Sequence, residues 1–363
     1  MQPALIGNRL VGPNLPCFVI AEAGVNHNGD MHVAHQLIDV AANAKVDAVK
    51  FQSFVTEELI TPEAPKAGYQ IETTGEPGSQ YEMLKSLELN ADQQAELKAH
   101  CEQVGMLYLC TPYEHASVDL LDHMGIAAFK IASTDTTNIP FMRYIASKGR
   151  PVILSTGMST LGEVEQAVNT LRIGGLDGQI VILHCTAEYP APVSEVNLRA
   201  ILTMQQAFSC PVGFSDHTSG IGASPWAVAV GACVIEKHFT LDHDMIGPDH
   251  RASLEPGELS ALVRAVRDVQ AALGDGIKRP MPCELLNKPR MQKSLVARRS
   301  IRAGDTITLD DLACKRPGSG LSASWFDRVV GKRAAVDIPK DRILTLSSVD
   351  WSESRAEYAL QPQ

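Results

Sequence analysis

Residues 212–239, VGFSDHTSGIGASPWAVAVGACVIEKHF, contain two apolar, strand-like segments separated by a stretch of helix length. The first segment ends in Ser-Asp-His and the second in Glu-Lys-His, so reactive side chains lie at the carboxyl end of each predicted strand. Repeated strand then helix, with reactive residues at the carboxyl ends of the strands, is typical of a (β/α)8 barrel. The active site of that fold lies at this end of the strands, and we expect the function there.

Six further segments of the same kind come earlier in the chain, which completes the set of eight strands that the fold requires. The eight predicted strand segments are PCFVIAEAG (16–24), AVKFQSF (48–54), MLYLCTPY (106–113), AAFKIAS (127–133), PVILSTGM (151–158), VILHCTAEYP (181–190), PVGFSDHT (211–218) and CVIEKHFT (233–240). A helix is predicted after the last strand, at residues 256–273. The predicted fold class is therefore α/β, with a parallel barrel.

Side chains alternate along a strand, so residues two apart share one face. A charged residue inside an apolar strand is costly unless it is paired or used. In five strands the alternation places polar groups on a single face: Glu22 with Gly24, Lys50 with Gln52, Lys130 with Ala132, Ser215 with His217, and Glu236 with His238. Packing alone does not explain this pattern, which indicates a functional site.

At 363 residues the chain exceeds the roughly 250 residues of one barrel. We predict a catalytic barrel domain at residues 1–276, a proline-rich linker at 277–290 and a small β-rich domain at 291–355, followed by a frayed tail. The long stretch between the second and third strands, residues 55–90, is either a substrate cover or a surface insertion without a role.

The overall composition narrows the class of protein. Hydrophobic residues make up 45% of the chain and charged residues 20%, as in ordinary soluble globular proteins. The sequence contains no uncharged apolar run of 18 residues that could span a membrane. The N-terminus lacks the features of a signal peptide, and the eight cysteines form no C-x-x-C pair, so we expect a cytoplasmic protein with buried, reduced thiols. The net charge of −10 argues against nucleic-acid binding.

His217 and His238 end adjacent strands of the predicted barrel. Neighbouring strands lie about 4.8 Å apart, so the two imidazoles can share one divalent metal and leave positions open for water or substrate. Nitrogen and oxygen ligands suit Mn, Co or Zn without choosing among them. The alternative is a pair of hydrogen-bonded core histidines.

Lys50 and Lys130 end the second and fourth strands. Lysines placed in this way bind a phosphate or carboxylate, form a Schiff base, or pair with a carboxylate such as Glu236. The hydroxyls of Ser133, Ser155, Thr156 and Ser215 stand at similar heights. Two lysines with a ring of hydroxyls indicate a small, phosphorylated substrate.

Glu22 ends the first strand and is a candidate general base or water-positioning group, or else an ion-pair partner of a lysine. The polar stretch at residues 26–29, NHNG, fits a sugar-binding loop or a turn that leads into a helix capped by Asp30.

These residues and their surroundings resemble the bacterial sialic acid synthase family over nearly the whole chain. The motifs that carry the resemblance are AEAGVNHNGD (21–30), VKFQ (49–52), CTPYEHASVDLL (110–121), FKIASTDTTNIP (129–140), ILSTGMST (153–160), LHCTAEYPAP (183–192), GFSDHT (213–218), EKHFTLD (236–242), GPDH (247–250) and KRPGSG (315–320). The resemblance implies a TIM barrel joined to an antifreeze-like (SAF) domain. It also implies that phosphoenolpyruvate is condensed with an open-chain N-acetylated hexosamine to give a nine-carbon keto acid.

The resemblance further implies roles for individual residues. Manganese is expected on His217 and His238, with Glu22 as the base or water-orienting group, and a homodimer is expected in which the SAF domain reaches over the barrel of the partner subunit. The substrate ligands that it implies are Lys50, Lys130, Ser133, Ser155 and Ser215 for phosphoenolpyruvate with Thr111 nearby, Gln52 as a further substrate contact, Tyr189 and Asp249 for the sugar, and Arg316 reaching the N-acetyl group from the other subunit. One position departs from the family: Ala187 stands where neuraminate synthases typically have an asparagine that contacts phosphoenolpyruvate.

The stretches CTAEYPAP (185–192) and GPDHRASLEP (247–256) are more similar to N,N′-diacetyllegionaminate synthases than to neuraminate synthases. The expected acceptor is therefore 2,4-diacetamido-2,4,6-trideoxymannose, and N-acetylmannosamine is the alternative. More distant alternatives are a synthase of seven- or eight-carbon keto acids, a Schiff-base aldolase that uses Lys50 or Lys130, and an ice- or ligand-binding protein.

Overall fold

A computed structural model of the chain describes residues 2–66, 68–74 and 78–352, and the chain divides into two compact units, Met1–Asp275 and Gly276–Gln363. The predicted frayed tail and part of the stretch at residues 55–90 lie outside the described residues. Within the described parts, no helix combines the length and the apolar composition needed to cross a membrane.

The first unit is a closed barrel of eight parallel strands, which confirms the predicted fold. Each predicted segment contains one strand, and neighbours in sequence are neighbours in the barrel, with the last strand closing on the first. After a hairpin of β1 (Ala4–Ile6) and β2 (Arg9–Val11), the barrel strands are β3 (Phe18–Gly24), β4 (Ala48–Ser53), β5 (Leu107–Pro112), β6 (Phe129–Ile131), β7 (Val152–Ser155), β8 (Ile180–Cys185), β9 (Val212–Asp216) and β10 (Val234–His238).

Helices follow the strands of the barrel. They are α1 (Met31–Ala44), α2 (Thr56–Leu59), α3 (Gly68–Thr74), α4 (Gln80–Leu87), α5 (Ala91–Gln103), α6 (His115–His123), α7 (Ile139–Ala146), α8 (Leu161–Leu171), α9 (Arg199–Phe208), α10 (Ala223–Val230) and α11 (Pro256–Leu273). Asp30 caps α1 by accepting a hydrogen bond from the backbone of His32, as one of the two interpretations of this turn predicted. The stretch at residues 55–90 contributes the short helices α2, α3 and α4.

Side chains fill the barrel interior, with apolar ones below and polar ones above. The lower layer is apolar and includes Ile20, Ile153 and Val234, and the β1–β2 hairpin packs Ile6 and Val11 into the same cluster. Two residues further along the strands, on the same face, stand Glu22, Ser155 and Glu236. The apolar layer therefore supports a polar layer at the carboxyl ends of the strands. The hairpin was not predicted from the sequence.

The second unit begins with two short helices, α12 (Pro282–Leu285) and α13 (Lys288–Met291). It continues with β11 (Ser294–Ala297) and β12 (Leu312–Lys315), which form an antiparallel pair, then α14 (Phe326–Val329) and a second antiparallel pair, β13 (Arg333–Ala334) and β14 (Val349–Asp350). Its own core includes Leu295, Leu312 and Leu344.

All eight cysteines are free thiols. Six are buried, as predicted, but the prediction is wrong for Cys283 and Cys314. Cys283 lies on α12, none of whose residues is buried, and Cys314 lies on the exposed end of β12. Local apolar sequence did not distinguish these short, exposed elements from the buried strands.

Candidate active site

Four buried charged residues form a continuous network across the mouth of the barrel. Glu22 and Lys50 face each other in register across β3 and β4, and their carboxylate and ammonium groups form an ion pair. Glu236 on β10 lies between the two lysines, with its carboxylate 3.7 Å from Lys50 Nζ and 3.3 Å from Lys130 Nζ. All four side chains are at least nine-tenths buried. The barrel thus holds two ammonium groups and their two carboxylate partners in an enclosed position, where interactions between charges are strong.

The two carboxylates of this network have different surroundings. Burial raises the pKa of Glu22 to about 7, because the attraction of Lys50 only partly offsets the loss of water. Burial has the same tendency at Glu236, but there Lys130 and Lys50 together lower the pKa to about 2. Glu22 can therefore gain and lose a proton near neutral pH, whereas Glu236 stays ionised.

Hydroxyl groups surround the lysines. Thr111 Oγ1 accepts a hydrogen bond from Lys50 Nζ at 3.0 Å, and Ser215 Oγ donates to Glu236 Oε1 at 2.8 Å. Ser133 Oγ accepts from the backbone N–H of Gly157 at 2.9 Å. Ser155 Oγ is buried and has no hydrogen-bond partner within the described part of the chain. A buried hydroxyl without a partner is costly, so this group indicates a polar ligand at the same place.

The two strand-end histidines lie beside this network, with ring centroids 5.6 Å apart. His217 Nδ1 donates to the carbonyl of Thr186 at 2.8 Å, since a carbonyl oxygen only accepts. The lone pair of His217 is therefore on Nε2, and a backbone carbonyl on the remote nitrogen is the usual support of a metal-binding imidazole. Tyr189 stacks on His217 at 4.1 Å and meets His238 edge-on at 5.7 Å.

The donor set fits an open metal site. Among the described residues, no cluster of three or more His, Cys, Asp or Glu side chains has the geometry to hold a metal ion. His217 and His238 supply two neighbouring nitrogen donors, and burial lowers the pKa of His238 well below its usual value, which keeps that imidazole neutral. Two imidazoles at neighbouring strand ends suit an ion that takes its remaining ligands from water and substrate.

The remaining predicted residues of the barrel unit border the same space. A Cβ atom built on Gly24 would lie 3.1 Å from Glu22 Oε1, 3.4 Å from Gln52 Nε2 and 3.5 Å from His238 Cε1, so these three side chains converge. Asp249 follows β10 and is buried, which raises its pKa to about 6 against the opposing influence of His217.

Ala187 also borders this space, and the structure shows where it lies. A Cβ atom built on Gly157 would lie 3.1 Å from Ala187 Cβ and 2.8 Å from Ser133 Oγ. Ala187 therefore stands at the end of the site lined by hydroxyls.

Arg316 is the one predicted site residue outside the barrel unit. It lies just after β12 in the second unit, where it is exposed and its Nε donates to the carbonyl of Met291 at 3.1 Å. Sequence reasoning missed other residues at the site. Cys185, whose sulfur lies 3.8 Å from His217 Nδ1, and the carbonyl of Thr186 both adjoin His217, and their place in the segment VILHCTAEYP was the available signal.

Comparison with known proteins connects this geometry to a family. A model of the NeuB family matches residues 37–278, and a SAF domain model matches residues 292–350. The chain belongs to the NeuB family. The resemblance to sialic acid synthases is thereby confirmed, as is the SAF domain, and the chain is an enzyme of the sialic acid synthase type.

NeuB-family relatives of this chain include two N,N′-diacetyllegionaminic acid synthases. The enzyme of Campylobacter jejuni is 47% identical over 327 residues, which cover 90% of this chain and 98% of the relative. The enzyme of Legionella pneumophila is 42% identical over 330 residues, which cover 90% of this chain and 93% of the relative. Among solved structures, the N-acetylneuraminic acid synthetase of Leptospira borgpetersenii is 35% identical, with a TM-score of 0.70 over 79% of this chain and 95% of that chain.

Proposed function

We propose that this NeuB-family enzyme condenses phosphoenolpyruvate with 2,4-diacetamido-2,4,6-trideoxymannose and water, and releases N,N′-diacetyllegionaminate and phosphate. The observation that carries the proposal is the convergence of Lys50 and Lys130 with a ring of hydroxyls beside Glu22 and two histidines. The choice of acceptor is supported by the two relatives that are named N,N′-diacetyllegionaminic acid synthases.

Phosphoenolpyruvate binds at the end of the site lined by lysines and hydroxyls. Its phosphate and carboxylate are both anionic, and the buried ammonium groups of Lys50 and Lys130 are suited to such a ligand. Its ligands are Lys50, Lys130, Thr111, Ser133, Ser155 and Ser215, and Ser155 supplies the hydroxyl that is otherwise without a partner. Fixing the substrate in this way aims its C3 carbon at the acceptor, which is mostly a gain in positioning.

His217 and His238 hold a divalent ion, for which we propose manganese. Such an ion supplies Lewis-acid polarisation of a carbonyl group. The hydrogen bond to the Thr186 carbonyl and the stacked ring of Tyr189 orient the His217 imidazole for this role.

The reaction forms a C–C bond and a C–O bond, and it breaks the C–O bond between C2 and the bridging oxygen of phosphoenolpyruvate. C3 of phosphoenolpyruvate attacks C1 of the open-chain sugar, whose aldehyde oxygen gains a proton and becomes a hydroxyl. Glu22 orients a water molecule that adds to the resulting cation at C2, and the Glu22 carboxylate accepts one proton from that water. This proton balances the one gained by the aldehyde oxygen. The tetrahedral intermediate then expels phosphate with its bridging oxygen, the proton of the C2 hydroxyl passes to the phosphate, and the 2-keto acid is left.

The acceptor sugar lies against Tyr189, Gln52 and Asp249, and Arg316 reaches its N-acetyl group from the other subunit of a homodimer. The support for the last point is the resemblance of the KRPGSG motif to the family pattern and the exposure of the Arg316 side chain.

Phosphate release tests the proposed function. The enzyme is supplied with phosphoenolpyruvate and Mn²⁺ together with either the diacetamido sugar or N-acetylmannosamine, and each reaction has an EDTA control. The expected result is a strong preference for the diacetamido sugar, abolished by EDTA. Preference for N-acetylmannosamine would instead make the enzyme an N-acetylneuraminate synthase, and release with neither sugar would refute the condensation. No phosphate release with either sugar, together with EDTA-resistant borohydride trapping of a keto substrate on a lysine, would indicate a Schiff-base aldolase.

A further inference from the structure

Two loops at the carboxyl end of the barrel are fastened together through Asn28. This residue lies in the loop between β3 and α1, and its Nδ2 donates to the carbonyl of Ile246 at 2.9 Å in the loop after β10. Its Oδ1 lies 3.2 Å from His250 Nε2. Asn28 therefore holds the second loop at points on both sides of Asp249. We refer to these two contacts as the Asn28 latch.

The hydrogen bonds of the Asn28 latch have a fixed direction. Since Oδ1 only accepts, His250 Nε2 carries the proton, and His250 Nδ1 accepts from the Thr240 hydroxyl at 2.6 Å. His250 is completely buried, and burial lowers its pKa to about 4, in agreement with a neutral ring. The backbone of Gly247 also packs closely against both residues of the latch. A Cβ atom built on Gly247 would lie 2.6 Å from the His250 ring and 2.7 Å from Asn28 Oδ1.

The backbone around Asp249 is held at two further points. Asn26 Nδ2 donates to the Ser253 hydroxyl at 2.9 Å, and that hydroxyl donates to the carbonyl of Asp249 at 2.6 Å. Thr73 Oγ1, on α3, donates to the carbonyl of Pro248 at 3.2 Å. These contacts fix the chain immediately before, at and after Asp249, whose carboxylate is buried within the electrostatic influence of His217.

We propose that Asn28 is a positioning residue for the acceptor sugar: it sets the place of Asp249 and does not bind the sugar itself. The identification of the ligand as the acceptor rests on the proposed function. Both polar ends of the Asn28 amide already have protein partners, which is the reason for preferring this role to a sugar-binding one. The role also gives the polar stretch at residues 26–29 a function in the reaction.

The test replaces Asn28 with glycine. Asn28 has a φ of 52°, a left-handed conformation that glycine adopts without strain, so Asn28→Gly removes the amide and leaves the backbone unstrained. Asn14→Gly is the matched control, because Asn14 has a φ of 61° and is exposed in the loop between β2 and β3. Loss of two hydrogen bonds is expected to raise KM for the acceptor about tenfold in Asn28→Gly. KM for phosphoenolpyruvate stays within about twofold of the wild-type value, and Asn14→Gly changes neither.

Hydrogen exchange of the amides at residues 246–252 tests the latch without relying on the reaction. Exchange is expected to be faster in Asn28→Gly than in the wild type and unchanged in Asn14→Gly. Equal exchange in both variants would refute the latch, and faster exchange with an unchanged acceptor KM would refute the positioning role, as would an equal rise in both KM values. A wild-type enzyme that releases no phosphate with either sugar would refute the proposed function, while the exchange result would still decide whether the latch exists.

Discussion

Replacing Ser155 with alanine should stabilise the ligand-free enzyme and weaken its binding of phosphoenolpyruvate. The hydroxyl of Ser155 is buried and lacks a hydrogen-bond partner in the described structure. A hydroxyl in this condition costs roughly 1–3 kcal/mol of folding free energy, which alanine recovers. The same hydroxyl donates to a charged oxygen of bound phosphoenolpyruvate in the proposed complex, a contact that contributes about 1.5–3 kcal/mol.

The two effects have different readouts and opposite signs. At the low end of the range, about 1 kcal/mol of added stability raises the melting temperature of the ligand-free barrel by about 2 °C. Loss of the contact with the substrate raises KM for phosphoenolpyruvate by about tenfold or more, since 1.4 kcal/mol corresponds to a factor of ten. Differential scanning calorimetry without ligands and steady-state phosphate release measure the two quantities.

Ser133→Ala is the matched control for this prediction. The hydroxyl of Ser133 accepts from the backbone N–H of Gly157, so alanine leaves a buried donor without its partner and lowers stability. The reasoning is refuted if Ser155→Ala lowers the melting temperature as Ser133→Ala does, or if KM for phosphoenolpyruvate stays at the wild-type value.

Three further predictions follow from the site. Ala187→Asn should lower KM for phosphoenolpyruvate and leave the preference between acceptor sugars unchanged, because Ala187 lies beside Ser133 at the hydroxyl end; a shift in acceptor preference would contradict this placement. Arg316→Ala and Glu22→Ala should each be inactive, but a mixture of the two that exchanges subunits should recover about a quarter of wild-type activity. Half of the dimers are then mixed, and each mixed dimer has one intact site out of two. No recovery despite demonstrated exchange would count against a role for Arg316 in the partner's site. Glu236→Gln leaves two buried lysines without their shared counter-ion and should destabilise the protein by about 3–5 kcal/mol, as measured by chemical denaturation. Added phosphate should restore part of this loss. An unchanged midpoint of denaturation would show that the lysines do not depend on Glu236.

The sequence predicted the barrel, and which side chains meet at its carboxyl end, for one physical reason. In a parallel barrel the side-chain period of two fixes which residues face inward, and the strand ends fix their height. Glu22 and Lys50 could therefore be assigned to one face from local sequence, and the register of β3 against β4 brings them together.

Contacts between distant segments could not be predicted in this way. Asn28 and His250 are separated by 222 residues, and they meet only because β10 closes on β3. The different surroundings of Glu22 and Glu236 likewise depend on how the two lysines are shared between them, which no single strand specifies. The β1–β2 hairpin is made of strands of only three residues, too short for a periodic signal.

The fate of the bridging oxygen of phosphoenolpyruvate tests the proposed reaction most directly. The enzyme is given phosphoenolpyruvate labelled with oxygen-18 between C2 and phosphorus, together with the diacetamido sugar and Mn²⁺, and both products are analysed by mass spectrometry. The proposed C–O cleavage predicts that the label appears in the released phosphate and that the nine-carbon keto acid is unlabelled in this position. Label retained in the keto acid, with unlabelled phosphate, would show that the P–O bond breaks and would contradict the addition of water at C2.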